Sequence, residues 1–360
     1  MRSPSPIRRW ARRAGQVLLC AGAIAGGATM AAATAPAAPL PRVDQPVAAL
    51  EAAPYETQAV TLAATAPPPS WEEPAVLPAV EDIPMVPLRP FAETMQEGRI
   101  ITGGTPHRVL LFSFDDGPDA RNTPRLLDIL DENGVKAVFF LTASRMDGQG
   151  RWTLENQAIA RDIVARGHII GNHTLEHPQL PLLNDEEVLN QVAAADAIFE
   201  RVLGERTWLV RPPGGAHSPR VDALLSRAGH TQMHWNIGTG DFQVREADEV
   251  ARIFRRVLER RERENGERGG IVLMHDTHAW SVDAVPQILS WIRARNCALL
   301  ESGDELYDIT GDPSMFFQAR GDARATVLAS PAEMDPAVLE ARQEVLREDT
   351  ARRCQQIASR

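Results

Sequence analysis

Val109-Leu110-Leu111-Phe112-Ser113-Phe114-Asp115-Asp116-Gly117-Pro118 is the stretch that decides the architecture. Its first six residues are almost continuously apolar, as a strand covered on both faces requires, and it leaves through a tight acidic turn. Neighbouring residues of an extended strand point to opposite faces. Two carboxylates therefore enter one site only where the strand ends and the chain turns. Gly117-Pro118 forces that turn. On its own, an acidic pair at a loop is more often solvated than functional.

The same alternation recurs outward from this strand. A helix over Thr123 to Asn133, stopped by Asn133-Gly134, leads to a buried strand at Ala137 to Leu141. Helices follow near Thr153 to Arg166, Asp185 to Leu203, Pro219 to Ala228 and Ala247 to Arg263. Strands fall between them near His168 to Gly171, Trp208 to Val210, Gln232 to Asn236 and Gly270 to Met274, and a last helix near Ala284 to Arg295 precedes Cys297 to Leu300. This pattern predicts an α/β protein: a parallel sheet wrapped by helices, closed or nearly closed into a barrel. Chemistry in such folds gathers at the carboxyl ends of the strands.

The 360 residues are 44% hydrophobic and 24% charged, enough apolar material for a sizeable core. The formal net charge of -10 argues against a nucleic-acid partner, which would need a basic face. Residues 1–35 carry Arg2, Arg8, Arg9, Arg12 and Arg13 before the uncharged small-residue run Val17 to Ala35, the layout of an export signal. Cleavage is expected after Ala35. The competing reading is an uncleaved membrane anchor, which the richness in Gly and Ala rather than Leu and Ile disfavours. Cys20 follows Leu19, where lipidation would want a small residue. Residues 36–105 are Pro and Ala rich, with Pro67-Pro68-Pro69 at their centre. They read as a disordered linker, either a spacer from membrane or wall or a plain tether. The domain proper is expected over 106–310, with a tail, 311–360, holding one helix from Pro336 to Arg353. After export Cys297 and Cys354 remain, either bonded to each other or as one buried and one exposed thiol.

Polar clusters sit at the strand ends. His173-Thr174-Leu175-Glu176-His177 places two imidazoles on a common metal if the backbone there is helical; the bland reading is a pair of hydrogen-bonded loop histidines. With one acid from Asp115-Asp116, the cluster offers two nitrogens and one oxygen and leaves positions open for water and substrate. Arg211-Pro212-Pro213-Gly214-Gly215 offers a carboxylate grip and a bare backbone N–H. Asp241-Phe242 and Leu273-Met274-His275 complete the set.

Five such motifs in this order, over roughly Arg108 to Leu306, resemble the polysaccharide deacetylases, carbohydrate esterases of family 4 with a NodB-type domain. The resemblance implies a distorted seven-stranded β/α barrel. It implies Asp115 as general base, oriented by Arg211, and Asp116, His173 and His177 as ligands of one divalent ion, zinc or else cobalt, nickel or manganese. His275 would be the general acid with Asp241 as its partner, the N–H near Gly214 would face the oxyanion, and Leu273 would line the acetyl pocket. Gly214, Phe242 and Gly238 depart from the family pattern, where Tyr, Trp and an additional Asp are common. The implied activity is removal of N-acetyl groups from an exported or cell-wall polysaccharide. Its rivals are an O-acetyl esterase on the same machinery and a glycan-binding scaffold with a decayed site.

Overall fold

A computed structural model describes residues 100–316 and 334–358. The residues read as an export signal, Cys20 among them, and those read as a linker up to residue 99 lie outside the described residues. Strands and helices alternate as β1 (Ile100–Ile101), β2 (Val109–Asp115), α1 (Thr123–Glu132), β3 (Ala137–Leu141), α2 (Arg151–Ala165), β4 (Ile169–Asn172), α3 (Asp185–Leu203), β5 (Leu209–Val210) and α4 (Pro219–Arg227). They continue as β6 (Thr231–Met233), β7 (Ile237–Gly238), α5 (Ala247–Asn265), β8 (Gly270–His275), α6 (Ala279–Ser302), β9 (Asp308–Ile309) and α7 (Pro336–Ala358). Among the described residues no helix is long and apolar enough to cross a membrane.

All ladders between these strands are parallel, in the order β1-β6-β5-β4-β3-β2-β8-β7, with β9 beside the start of β2. β6 and β7 are six strand spacings apart in this order, which would be about 29 Å in a flat sheet. The chain from Met233 to Ile237 reaches at most about 14 Å. The sheet must therefore curl, and β2 to β8 are the seven strands of the expected distorted barrel. No ladder joins β6 to β7 among the described strands. The seam is bridged by residues 100–105, where β1 pairs with β6 and Thr105 with Gly269. The chain assigned to the linker is thus already sheet from Ile100, because Ile100 and Ile101 are buried beside β6.

Strand alternation sorts the core. Leu110, Phe112 and Phe114 of β2 pack outward under the helices, whereas Val109 and Leu111 join Val138, Phe140, Leu209, Met233 and Ile271 in a second apolar cluster. That cluster is completed by Phe316, Met334 and Leu339, so packing continues past Thr310. Cys297 and Cys354 are bonded, with Cα atoms 6.0 Å apart, which fastens α7 to α6. α6 differs from the sequence expectation. It runs from Ala279 to Ser302, straight through Pro286 and residues 297–300, and stops at Gly303 (φ 72°). Val285, Ile288 and Leu289 around Pro286 are buried, as are Asn296 and Leu299 beyond, and that tertiary packing outweighs the local breaker.

Candidate active site

The β2 face that begins with Val109 and Leu111 continues to Ser113 and Asp115, both buried at the carboxyl end of the strand. Arg211, just past β5, is wholly buried and meets Asp115 there, its Nη1 lying 2.6 Å from Oδ1. The other guanidinium donors are also engaged: Nη1 to Ser113 Oγ, Nε to the Met233 carbonyl and Nη2 to the His234 carbonyl. The plane sits 4.1 Å over the Phe140 ring. A buried cation is tolerable only when paired and hydrogen-bonded, and each nitrogen of this one is engaged; it holds Asp115 in one orientation.

Asp116 would point away from Asp115 if β2 simply continued. Instead its φ is 75°, and the left-handed turn swings its carboxylate toward the β4 loop. His173 and His177 sit on that loop, which is not helical as the i, i+4 reading supposed: Thr174 and His177 have φ of 70° and 63°. Asn172 braces the loop. Its Oδ1 accepts from Thr174 N–H, its Nδ2 donates to the Val192 carbonyl and to Asp196, and Thr174 Oγ1 accepts from His177 N–H.

The donor set fits a metal. His173 Nδ1 lies 2.7 Å from the Arg211 carbonyl, which can only accept, so Nδ1 carries the proton and Nε2 presents a lone pair. That lone pair faces Asp116 Oδ1 at 3.4 Å, with His177 Nε2 at 3.1 Å from the same oxygen. Oδ1 is buried and makes no aligned hydrogen bond. Acceptors converging this closely call for a cation, and the ligand atoms of Asp116, His173 and His177 all lie within 4.8 Å of one another.

His275 ends β8 in register with Asp115 of β2, which sets acid and base on adjacent strand ends. Its Nδ1 is 2.9 Å from Asp241 Oδ1, and its Nε2 is 4.0 Å from Asp116 Oδ2. Burial alone would lower the imidazole pKa, but the Asp241 hydrogen bond and charge, with Asp115 and Asp116 beyond, push it up to about 9. Asp241 in turn is held by His275 N–H and Ser281 Oγ on Oδ2 and by Trp280 Nε1 on its carbonyl. Leu273, buried, lies two residues before His275 on β8. Gly214 lies in the turn after Arg211 with φ 61°, and a Cβ there would meet nothing within 4 Å. Phe242 is 62% exposed, its ring edge-on to His275 at 6.1 Å.

The seven ionisable site residues expected from the sequence thus converge. The sequence motifs assigned no role to Asn172, Thr174, Ser113, Trp280 or Ser281. A small polar residue beside a candidate ligand, as in Asn172-His173-Thr174, was the available signal for the first two; Ser281, six residues past His275, left none.

A curled parallel sheet holding an Asp-His-His cluster between a buried Asp–Arg pair and an Asp–His pair has the parts of a metal-assisted hydrolase. Comparison with known proteins makes the class specific: the chain belongs to the polysaccharide deacetylase family, metal-dependent amide hydrolases. The family model for polysaccharide deacetylase matches residues 102–233. A peptidoglycan-N-acetylglucosamine deacetylase of Bacillus cereus is 30% identical over 210 residues, 57% of this chain and 71% of that protein. A chitooligosaccharide deacetylase of Azorhizobium caulinodans is 31% identical over 169 residues, 46% of this chain and 73% of that protein. A crystal structure of a peptidoglycan N-acetylglucosamine deacetylase, in complex with 4-naphthalen-1-yl-N-oxidanyl-benzamide, overlaps 60% of this chain and 93% of its own with a TM-score of 0.48 and 27% identity.

Proposed function

We propose that this enzyme removes N-acetyl groups from amino sugars of a cell-wall or extracellular polysaccharide, acting outside the cytoplasm. A divalent cation held by Asp116, His173 and His177, zinc or else cobalt, nickel or manganese, would polarise the acetyl carbonyl and the attacking water. Asp115, fixed by Arg211, takes the water's proton. The N–H at Gly214 faces the developing oxyanion, and Leu273 gives the acetyl methyl an apolar wall. His275 protonates the departing amine, which leaves poorly without that proton. The Cys297–Cys354 bond and the residue 1–35 pattern support export.

The observation that carries this reading is the pairing of Asp115 and His275 on adjacent strand ends, both facing the ligand cluster. A His275 pushed up to about 9 keeps its proton at neutral pH, as an amine leaving group requires. The test is acetate and free-amine release by metal-loaded protein from peptidoglycan, chitin oligomers and O-acetylated xylan. Release from the xylan alone would replace the amide reading with the ester one.

A further inference from the structure

We propose that Ser281 is a positioning residue of the acid side of this site, acting on His275 through Asp241; the proposal rests on the deacetylase reading above. Asp241 is 1% exposed, so its carboxylate has no bulk water and depends on protein donors. Oδ2 takes two of them, Ser281 Oγ at 2.6 Å and His275 N–H at 2.7 Å. Oδ1 is thereby left to the imidazole Nδ1. Ser281 is the third residue of α6, so its hydroxyl reaches Asp241 from the positive end of a 24-residue helix. Trp280, one residue earlier, donates Nε1 to the Asp241 carbonyl. The first turn of α6 therefore grips Asp241 at backbone and side chain, and the grip sets the plane in which the carboxylate meets Nδ1. Without the Ser281 hydroxyl, Oδ2 keeps only the backbone donor. The carboxylate can then turn both oxygens toward Nδ1, and Nε2 loses its aim at the leaving nitrogen.

The test separates positioning of the acid from a general structural role by leaving group. An N-acetylglucosamine oligomer needs its amine protonated; 4-nitrophenyl acetate expels its phenolate without help from an acid. Ser281→Ala is expected to lower kcat on the oligomer about ten- to a hundredfold with KM within about twofold. Bound metal and the aryl ester rate should stay within about twofold of wild type. Should Ser281→Ala not fold, Ser281→Cys, with similar volume and a weaker donor, carries the same comparison. Equal losses on both substrates, or an unchanged kcat on the oligomer, overturn the inference while leaving the deacetylase reading intact. A wild-type enzyme inactive on every N-acetylated glycan overturns both.

Discussion

Asp241→Asn should convert the acid side of the site into a pH-dependent defect. In the wild type His275 is pushed up to about 9 against an ordinary 6.5, although burial by itself would lower it. A bound cation offsets the share of that rise owed to Asp115 and Asp116, but not the share owed to Asp241. The alkaline limb of kcat/KM is therefore expected at or somewhat below about 9, with most of His275 still protonated at pH 8. With Asn in place the pKa falls to 6.5 or below, and the protonated fraction at pH 8 drops to about 3%. The expected loss is about tenfold or more at pH 8 and much smaller at pH 6. The hydrogen bonds make this a lower bound. Two donors already converge on Oδ2, so the amide oxygen settles there and turns its NH2 toward Nδ1, opposing protonation of that nitrogen. Rate profiles on an N-acetylated oligomer, with metal content measured in parallel, decide it. An alkaline limb that stays in place with metal retained would refute the assignment of His275 as the acid.

His173→Ala and His177→Ala each remove one of the three clustered protein ligands and should lose both bound metal and turnover; wild-type turnover without stoichiometric metal would sink the site. Cleaving the Cys297–Cys354 bond by Cys354→Ser opens a cross-link spanning 57 residues, for which chain entropy gives about 4 kcal/mol, so an unchanged urea midpoint would contradict it. Asp276 is fully buried, and burial raises its carboxyl from 3.8 to about 7 despite the Thr123 hydroxyl bonded to it. The folded chain therefore keeps a proton that the unfolded chain releases, and stability drains as pH rises from 3.8 through about 7. Asp276→Asn should be more stable than wild type by a margin that grows to about 4 kcal/mol by pH 8, and a margin flat from pH 4 to 8 would show no such proton.

How legible each part was depends on how local its cause is. β2 and β3 were plain because strands buried on both faces need unbroken apolar runs, and the Gly and Asn stops mark helix ends. β1 was not, since two isoleucines carry no period and owe their place to β6 across the barrel seam. The His173-x-x-x-His177 spacing pointed to a shared metal for the wrong reason. Two left-handed residues in a braced loop, not a helix face, bring the rings together. Asp116 was read correctly as turning inward, yet the turn lies at its own φ as well as at the Gly-Pro that follows. Ser281 could not be read, because its partner Asp241 lies 40 residues earlier and only the curl of the sheet unites them.

The ion pair at the centre of this site depends on a floor assembled from distant parts of the chain. Arg211 is wholly buried, and what lies beneath its guanidinium is Phe140 at 4.1 Å. Phe140 belongs to the cluster that contains Ile101 from the seam strand and Phe316, Met334 and Leu339 from beyond residue 310. These residues carry none of the site's chemistry. They nonetheless complete the apolar layer to which Phe140, under the guanidinium, belongs. The α7 helix that delivers Leu339 is fastened by Cys354 to α6, whose opposite end grips Asp241. A single helix thus carries at one end the disulfide that anchors α7 and at the other the hydroxyl that holds the partner of His275.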